Sequence, residues 1–203
     1  MNFIPSINFL RSDGKRPKSQ SLRGLAMLAL FGITFGIPCA RQAFGGILEI
    51  RVKDHREAIG DFSNLELLID TVRLKPTSGL KFWKVGWKEL KPSQKGVDLT
   101  KYTGNNSAMI FRGEVSPGLF EGIDIKLKGI EGTLKKTGKK APVKNLVGPV
   151  QLAFSIRARE KTLLVLDFVV LDISDHPQRG YELYIKGYEI YTNGTLVDKV
   201  PPA

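Results

Sequence analysis

The sequence has few of the residues on which metal sites and nucleophilic catalysts most often depend. Its 203 residues include one cysteine, Cys39, and two histidines, His55 and His176. A single cysteine cannot form an internal disulfide, so cysteine usage does not indicate the redox compartment. A zinc site needs three or four closely spaced ligands, mostly Cys and His. These three residues are too few and too widely spaced to provide one.

Sequence motifs for the common catalytic classes are also absent. The chain contains no Gly-x-Ser-x-Gly elbow, no Walker phosphate loop and no His-Glu-x-x-His helix. Each histidine follows an aspartate, in Asp54–His55 and Asp175–His176. Such pairs in polar turns are more often solvated than part of a catalytic triad. We therefore expect a protein without catalytic activity and without a cofactor.

An uncharged apolar stretch near the start of the chain follows a basic segment. It covers residues 24–37, and the small residues Ala43, Gly45 and Gly46 follow it. A membrane span needs about 20 apolar residues, so this stretch is short for one. The pattern is that of a secretory signal peptide over residues 1–45, with an uncleaved N-terminal anchor as the alternative. It predicts a signal helix and an extracytoplasmic location, whether periplasmic, secreted or membrane-anchored.

The formal net charge of +11 divides between two parts of the chain. Residues 1–45 carry six basic side chains and one acidic side chain, so about half of the excess lies in the predicted signal segment. The rest is a mild bias that usually serves solubility. A basic turn could contact an anionic polysaccharide, a membrane surface or another envelope protein; its lysines are Lys135, Lys136, Lys139 and Lys140. No nucleic-acid motif accompanies it, so nucleic acid is not an expected partner.

Alternation of polar and apolar residues dominates the rest of the chain. Residues 47–53 and 119–128 alternate strictly, which predicts half-buried strands. Residues 161–172 are apolar at almost every position, which predicts a central strand buried on both faces. About nine such strands predict an all-β, antiparallel β-sandwich over residues 46–198, either Greek-key/immunoglobulin-like or transthyretin-like, with a flexible tail at 199–203. A partly closed barrel is the alternative.

Smaller features refine this prediction. The alternation in residues 62–75 changes phase after Ile69, which indicates a β-bulge. Residues 97–102 suit a single helical turn. Asn193–Gly194 is a two-residue hairpin signal before the end of the chain.

Acidic residues at two places in the chain are candidates for cation binding. Asp54, Glu57 and Asp61 are oxygen donors close together along one loop and could hold calcium, although no Asp-x-Asp-x-Asp-Gly loop is present. Asp167 interrupts the apolar central strand. A buried carboxylate is costly unless it is paired, so Asp167 is a cation ligand or, as we favour, a structural acid bonded to backbone N–H groups or a basic side chain.

Aromatic residues recur at a spacing that places them on one face of a strand. Trp83 and Trp87 form one such pair, and Tyr184 and Tyr188 form another. They could make a platform for sugar rings or peptide, or they could be residues of the sandwich core.

A series of short motifs then resembles a known family. The motifs, in order, are Asp54, Asp61-Phe62, Val97-Asp98-Leu99, Pro117-Gly118-Leu119-Phe120, Leu166-Asp167-Phe168 and Gly180-Tyr181-Glu182-Leu183. Their order and spacing resemble the bacterial domain-of-unknown-function 4382 family over about residues 46–191. The resemblance implies an exported β-sandwich domain, frequently lipid-anchored, with no established activity. Three places depart from the family pattern: His55 follows Asp54 in place of alanine, Val169 replaces a second acid, and Ile185-Lys186-Gly187 stands in the last strand where the family tends to have a proline.

Together these observations predict an exported β-sandwich module of the cell envelope that binds a ligand or has a structural role. One alternative is an accessory subunit of a membrane complex, held by an uncleaved N-terminal anchor. Another is an envelope enzyme that uses the loop carboxylates of Asp54, Glu57 and Asp61 with His55. An enzyme requires these groups to converge in a pocket with perturbed pKa values.

Overall fold

The computed structural model describes residues 44–55, 58–77, 86–173, 175 and 180–202. These residues form β-strands and two short 3-10 helices, and they include no α-helix. The predicted all-β class is therefore confirmed. The predicted signal helix lies outside the described residues. Within the described ranges no helix is long and apolar enough to cross a membrane.

Twelve strands are present in this part of the chain, where the alternation pattern predicted about nine. In chain order they are β1 (Gly46–Asp54), β2 (Phe62–Pro76), β3 (Lys88–Leu90), β4 (Gly96–Asp98), β5 (Ala108–Val115), β6 (Gly118–Leu134), β7 (Lys140–Ala141), β8 (Val143–Asn145), β9 (Val150–Ile156), β10 (Lys161–Asp172), β11 (Tyr181–Thr192) and β12 (Thr195–Val200). Four of the twelve, β3, β4, β7 and β8, have only two or three residues each, which is too short for a period of two to be recognised.

The first sheet has the strand order β12-β11-β10-β1-β5, and β8 pairs with the beginning of β11. The strand β10 lies between β1 and β11, so the predicted central strand is confirmed. The prediction of a purely antiparallel sandwich is wrong, because β1 pairs with β10 in parallel, from Ile47 opposite Lys161 to Asp54 opposite Phe168. The chain builds the whole second sheet between these two strands, and this long crossover allows them to run in the same direction.

The second sheet is built on two long antiparallel strands, β2 and β6. The short strands β3 and β4 pair with β2, and β7 and β9 pair with β6. The pairing of β2 with β6 shifts register at Leu68/Ile69 and again at Ile69/Thr71. The bulge predicted from the phase change after Ile69 is thus confirmed.

Both sheets contribute to one apolar core, as in a sandwich. Alternate residues of β1 and β10, such as Leu48, Ile50 and Phe168, are buried together with Leu65 and Leu67 of β2. The 3-10 helix Leu99–Lys101 closes one edge of this core and confirms the predicted helical turn. The side chain of Asp98 caps this helix by accepting a hydrogen bond from the Thr100 backbone N–H at 3.2 Å.

The end of the chain folds back onto the first sheet. Asn193 and Gly194 have φ angles of 50° and 86°, the left-handed conformation that a two-residue hairpin turn requires. The hairpin pairs Lys199 with Glu189. Next to it, a Cβ atom on Gly187 would lie 2.8 Å from the Pro202 nitrogen, so the backbone packs directly on Gly187. Residues 199–202 are therefore part of the domain, which corrects the boundary predicted after residue 198.

Candidate functional site

A cavity of about 610 Å³ opens beside the end of β1. Its walls come from four places in the chain: the end of β1, the loop of residues 103–106, the facing side chains of β10 and β11, and residues 199–202. The loop is held against β1 because the Asp54 backbone N–H donates to the Tyr102 carbonyl at 2.8 Å. Segments distant in sequence therefore meet at one concave site, the usual form of a ligand site.

Charged side chains cross the strands of the first sheet on its outer face. The side chain of Leu166 in β10 lies in the core and so points to the inner face of the sheet. Its neighbour Asp167 points the other way and is the register partner of Lys53 in β1. Glu189 of β11 and its partner Lys199 of β12 follow on the same face. The sheet register therefore brings four ionisable groups together.

Ion pairs connect these four groups in series, from Asp167 through Lys53 and Glu189 to Lys199. The Lys53 Nζ atom lies 3.5 Å from Asp167 Oδ2 and 3.2 Å from Glu189 Oε1. The Lys199 Nζ atom lies 3.0 Å from the same Glu189 oxygen. The Tyr191 hydroxyl donates to Glu189 Oε2 at 2.6 Å. Glu189 is thus the most fully satisfied carboxylate of the site.

The carboxyl groups of Glu189 and Asp167 have opposite pKa shifts. Burial alone would raise the pKa of Glu189, but its hydrogen bonds with Tyr191, Lys199 and Lys53 outweigh burial and lower the pKa from 4.5 to about 2. Burial raises the pKa of Asp167, and the nearby charges of Lys53 and His55 offset this only in part. Carboxylates whose environments move their pKa values apart are a frequent feature of functional sites.

Asp167 lies on the sheet at a β-bulge. Its pairing with β11 shifts register between Asp167 and Phe168, and its side chain is buried. The Oδ1 atom has no hydrogen-bond partner within the described part of the chain. An unsatisfied buried acceptor is costly, so this oxygen can accept a hydrogen bond from a bound molecule.

His55 stands at the mouth of the cavity. Its side chain is about half exposed, and its Nδ1 atom lies 3.9 Å from Asp167 Oδ2. Its backbone N–H donates to the Phe168 carbonyl at 2.9 Å, which fixes the residue beyond the end of β1. His55 can therefore reach a ligand without losing its place beside Asp167.

The predicted calcium ligands divide between two places. Asp54 is buried and lines the cavity. Asp61 instead lies in the 3-10 helix Ala58–Asp61 and accepts a hydrogen bond from the Tyr181 hydroxyl at 3.1 Å. Among the described residues no group of three or more His, Cys, Asp or Glu side chains could hold a metal ion. Glu57 lies outside the described residues, so a site that includes it stays a prediction.

Among the described aromatic residues, Trp87 lies apart from the two tyrosines. Trp87 lies over the second sheet, with the Arg73 guanidinium carbon 5.2 Å from the centre of its ring, and Trp83 lies outside the described residues. In β11, Tyr184 pairs with Val169 and Tyr188 pairs with the core residue Leu166. The prediction that these two tyrosines share a face is wrong, because the bulge opposite Asp167 reverses the alternation between them.

The predicted basic turn is exposed at the end of β6. Lys135, Lys136, Lys139 and Lys140 are all exposed there, and the Lys140 Nζ atom lies 3.3 Å from Glu131 Oε2. Lys135 also lines a smaller cleft of about 350 Å³. The turn is a separate surface from the charged cavity, and its role in contacting anions stays a prediction.

Sequence reasoning missed Lys53, Glu189 and Lys199 as members of a site. Lys53 and Glu189 lie at polar positions of strands, which normally indicate a solvated face, and Lys199 lies in the segment predicted to be a flexible tail. Of the four ion-paired groups, Asp167 alone gave a signal, because it interrupts an apolar run. The pairing of β10 with β1 and β11, and of β11 with β12, brings the others to it, and no local pattern encodes that pairing.

Comparison with known proteins gave one match. The family model described as Domain of unknown function (DUF4382) matches residues 45–184, which is more than half of the chain. Searches of the curated proteins and of the solved structures found no match. The matched region begins at β1 and ends within β11, so it includes Lys53 and Asp167 but not Glu189 or Lys199.

Proposed function

The chain belongs to the family of the Domain of unknown function (DUF4382), and we propose that it is a binding module of the cell envelope whose ligand occupies the charged cavity. The convergence of Lys53, His55, Asp167 and Lys199 around one concave site carries this proposal. Charged side chains that serve only solubility are spread over the surface. They do not converge on one cavity that also contains a buried, unpaired acceptor such as Asp167 Oδ1.

The ligand we propose is a saccharide with an anionic group. Its hydroxyl groups would donate to Asp167 Oδ1 and to the side-chain oxygens of Asn105 and Asn106, which line the cavity. Its anionic group would lie near Lys199, whose side chain is half exposed. Tyr188 and Pro202 supply apolar surface for the ring. An anionic envelope polysaccharide carries both kinds of group.

The location at the envelope is supported by the pattern of residues 1–45, which is that of a signal peptide or an anchor. The intact mass of the protein recovered from each fraction of its host distinguishes the two. We expect the loss of about 45 residues and recovery outside the cytoplasm. A full-length chain in the membrane fraction would favour the accessory-subunit alternative.

The choice between immunoglobulin-like and transthyretin-like topology stays a prediction.

Calorimetry with oligosaccharides tests the ligand. The probes are neutral oligosaccharides and oligosaccharides of uronic acids, titrated into the wild-type chain and into the Asp167→Ala and Lys199→Met variants. A lost hydrogen bond to a charged group costs about 1.5–3 kcal/mol, so each variant should bind the acidic probe roughly 10- to 100-fold more weakly.

Glu121→Ala is the matched control, because Glu121 forms an exposed ion pair with Lys75 on the second sheet. This variant should bind as the wild type does. Equal affinity of the acidic probe for the wild type and both cavity variants would contradict the cavity as the binding site. No binding of any probe by the wild type would contradict the saccharide class.

A carboxylate-dependent hydrolase is the second candidate function. The observation that favours it is the Asp167 carboxyl, whose pKa is raised chiefly by burial, with the His55 imidazole 3.9 Å away. A carboxyl group with a raised pKa can act as a general acid, and an imidazole can act as a general base. Release of reducing ends from the same acidic oligosaccharides, abolished in His55→Ala, would establish this function in place of simple binding.

A further inference from the structure

Lys53, Asp167 and Glu189 form a compact group of one amine and two carboxyl groups. Lys53 and Asp167 are register partners on neighbouring parallel strands at the centre of the first sheet. The Nζ atom of Lys53 lies 3.5 Å from Asp167 Oδ2 and 3.2 Å from Glu189 Oε1. The amine is therefore held against a carboxyl group by backbone pairing that runs from Ile47 opposite Lys161 to Asp54 opposite Phe168.

All three side chains are largely removed from solvent. Lys53 is 16% exposed, Asp167 7% and Glu189 14%. The other lysine–carboxylate pairs of the described residues have a lysine that is 42% exposed or more. Lys53 is thus the amine of this set that is both ion-paired and shielded from water.

An amine and a carboxyl group fixed in contact can condense without an external reagent. Fixed positioning of two reacting groups is equivalent to effective concentrations of roughly 10⁵–10⁸ M, which favours amide formation even beside water. We propose that the folded protein joins Lys53 to Asp167 through an amide bond between Nζ and Cγ, a covalent cross-link from β1 to β10.

The reaction balances without an oxidant or a second substrate. The Lys53 ammonium gives a proton to the Asp167 carboxylate across the contact between Nζ and Oδ2, and the neutral Nζ then attacks Cγ of the resulting carboxyl group. The Nζ–Cγ bond forms and one Cγ–Oδ bond breaks. That oxygen leaves as water with the carboxyl proton and one amine proton. The sum is one ammonium and one carboxylate converted to one amide and one water.

Asp167 is the better electrophile of the two carboxyl groups, although Glu189 is nearer to the amine. Three donors hold Glu189 as a carboxylate, and a carboxylate anion resists attack by an amine. Asp167 has the raised pKa, chiefly from burial, and thus forms the neutral acid more readily. Its Oδ1 atom also lacks a hydrogen-bond partner within the described residues. Glu189 is therefore the positioning residue, which holds the Lys53 amine beside Asp167.

Intact mass spectrometry of the purified full chain tests the cross-link. The wild type should be lighter than its own sequence by one water molecule. Lys53→Arg and Asp167→Ala should each have the full mass of their sequences, because each lacks one reacting group. Comparison of wild type with Lys53→Arg removes any effect of N-terminal processing. Glu189→Gln should show a smaller cross-linked fraction at equal times.

Lys199→Arg is the matched control. Lys199 also contacts Glu189, at 3.0 Å, but it is not a partner of Asp167, so this variant should still lose one water. Peptide mapping of the wild type should find one branched peptide that joins the segments containing Lys53 and Asp167. The mapping separates the cross-link from a succinimide, which also loses water but leaves the chain unbranched.

Two results would overturn the proposal. One is a wild-type chain that is folded by circular dichroism and keeps its full mass after days of incubation. The other is a loss of water that persists in Lys53→Arg. Circular dichroism of each variant shows whether it is folded. Because no ligand is added, the result stands apart from the binding function proposed above.

Discussion

Glu49→Gln is the substitution whose cost follows most directly from the structure. Glu49 lies on the outer face of β1, yet it is only 1% exposed, because basic side chains cover it. The Arg51 Nε atom lies 2.6 Å from one of its oxygens, and the Lys161 Nζ and Arg112 Nε atoms lie 2.8 Å and 4.0 Å from the other. Glutamine keeps the size of the side chain and removes its charge.

The expected cost is about 1–2 kcal/mol of unfolding free energy. A hydrogen bond between charged groups contributes about 1.5–3 kcal/mol. The basic partners are 39–58% exposed, so solvent screens part of that energy. Glutamine also leaves three positive charges around a neutral amide. For a chain of this size the melting temperature should fall by roughly 2–8 °C.

The effect should also depend on pH. Burial alone would raise the pKa of Glu49, but hydrogen bonds with Lys161 and Arg51 lower it below its usual value of 4.5. A lowered pKa stabilises the folded state above pH 4.5, and this contribution is lost as the pH falls through the lower folded value. The difference between wild type and Glu49→Gln should therefore be full at pH 7 and should shrink in acid below pH 4.5.

Urea unfolding at pH 7 and at a series of acidic pH values measures both effects, with tryptophan fluorescence as the signal. Glu121→Gln is the control, because Glu121 and Lys75 form an exposed pair at 2.7 Å whose loss should cost less than about 1 kcal/mol. Equal unfolding free energies for wild type and Glu49→Gln at pH 7 would refute the reasoning. So would a difference that does not change with pH.

Two further predictions concern packing. Phe168→Ala should lower the unfolding free energy by about 3–5 kcal/mol, because Phe168 is fully buried in the core. Thermal unfolding followed by circular dichroism measures this loss. A loss below about 1 kcal/mol would contradict the packing of Phe168. Gly187→Ala should displace residues 200–202 from the cavity wall, since the new Cβ would lie 2.8 Å from Pro202 N and Val200 O. Faster hydrogen exchange confined to β12 would show this, and unchanged exchange would argue against it.

The strand positions were largely predictable from local pattern. A strand with one buried face must alternate, so residues 47–53 and 119–128 indicated β1 and the first part of β6 directly. Residues 161–172 are apolar at almost every position, which indicated a strand covered on both faces, and β10 has the same bounds. The bulge in β2 was visible because a bulge changes the phase of alternation.

The tyrosines of β11 show where local pattern fails. Tyr184 and Tyr188 are four residues apart, which predicts one shared face. The sequence shows no change of phase at the bulge that separates them, because neither Ile185 nor Gly187 clearly interrupts the alternation of polar and apolar residues in β11. Only the pairing with β10 places the register shift at Asp167/Phe168 and turns the two rings to opposite faces.

The sequence by itself determined the all-β class, most strand positions and the unusual character of Asp167, because each depends on residues within one strand. Only the tertiary structure decided the parallel pairing of β1 with β10, the return of residues 199–202 over Gly187 and the grouping of Lys53, Glu189 and Lys199 around Asp167. These features depend on which strands become neighbours. That choice is made by burial of the whole core, so it leaves no periodic signal in any one segment.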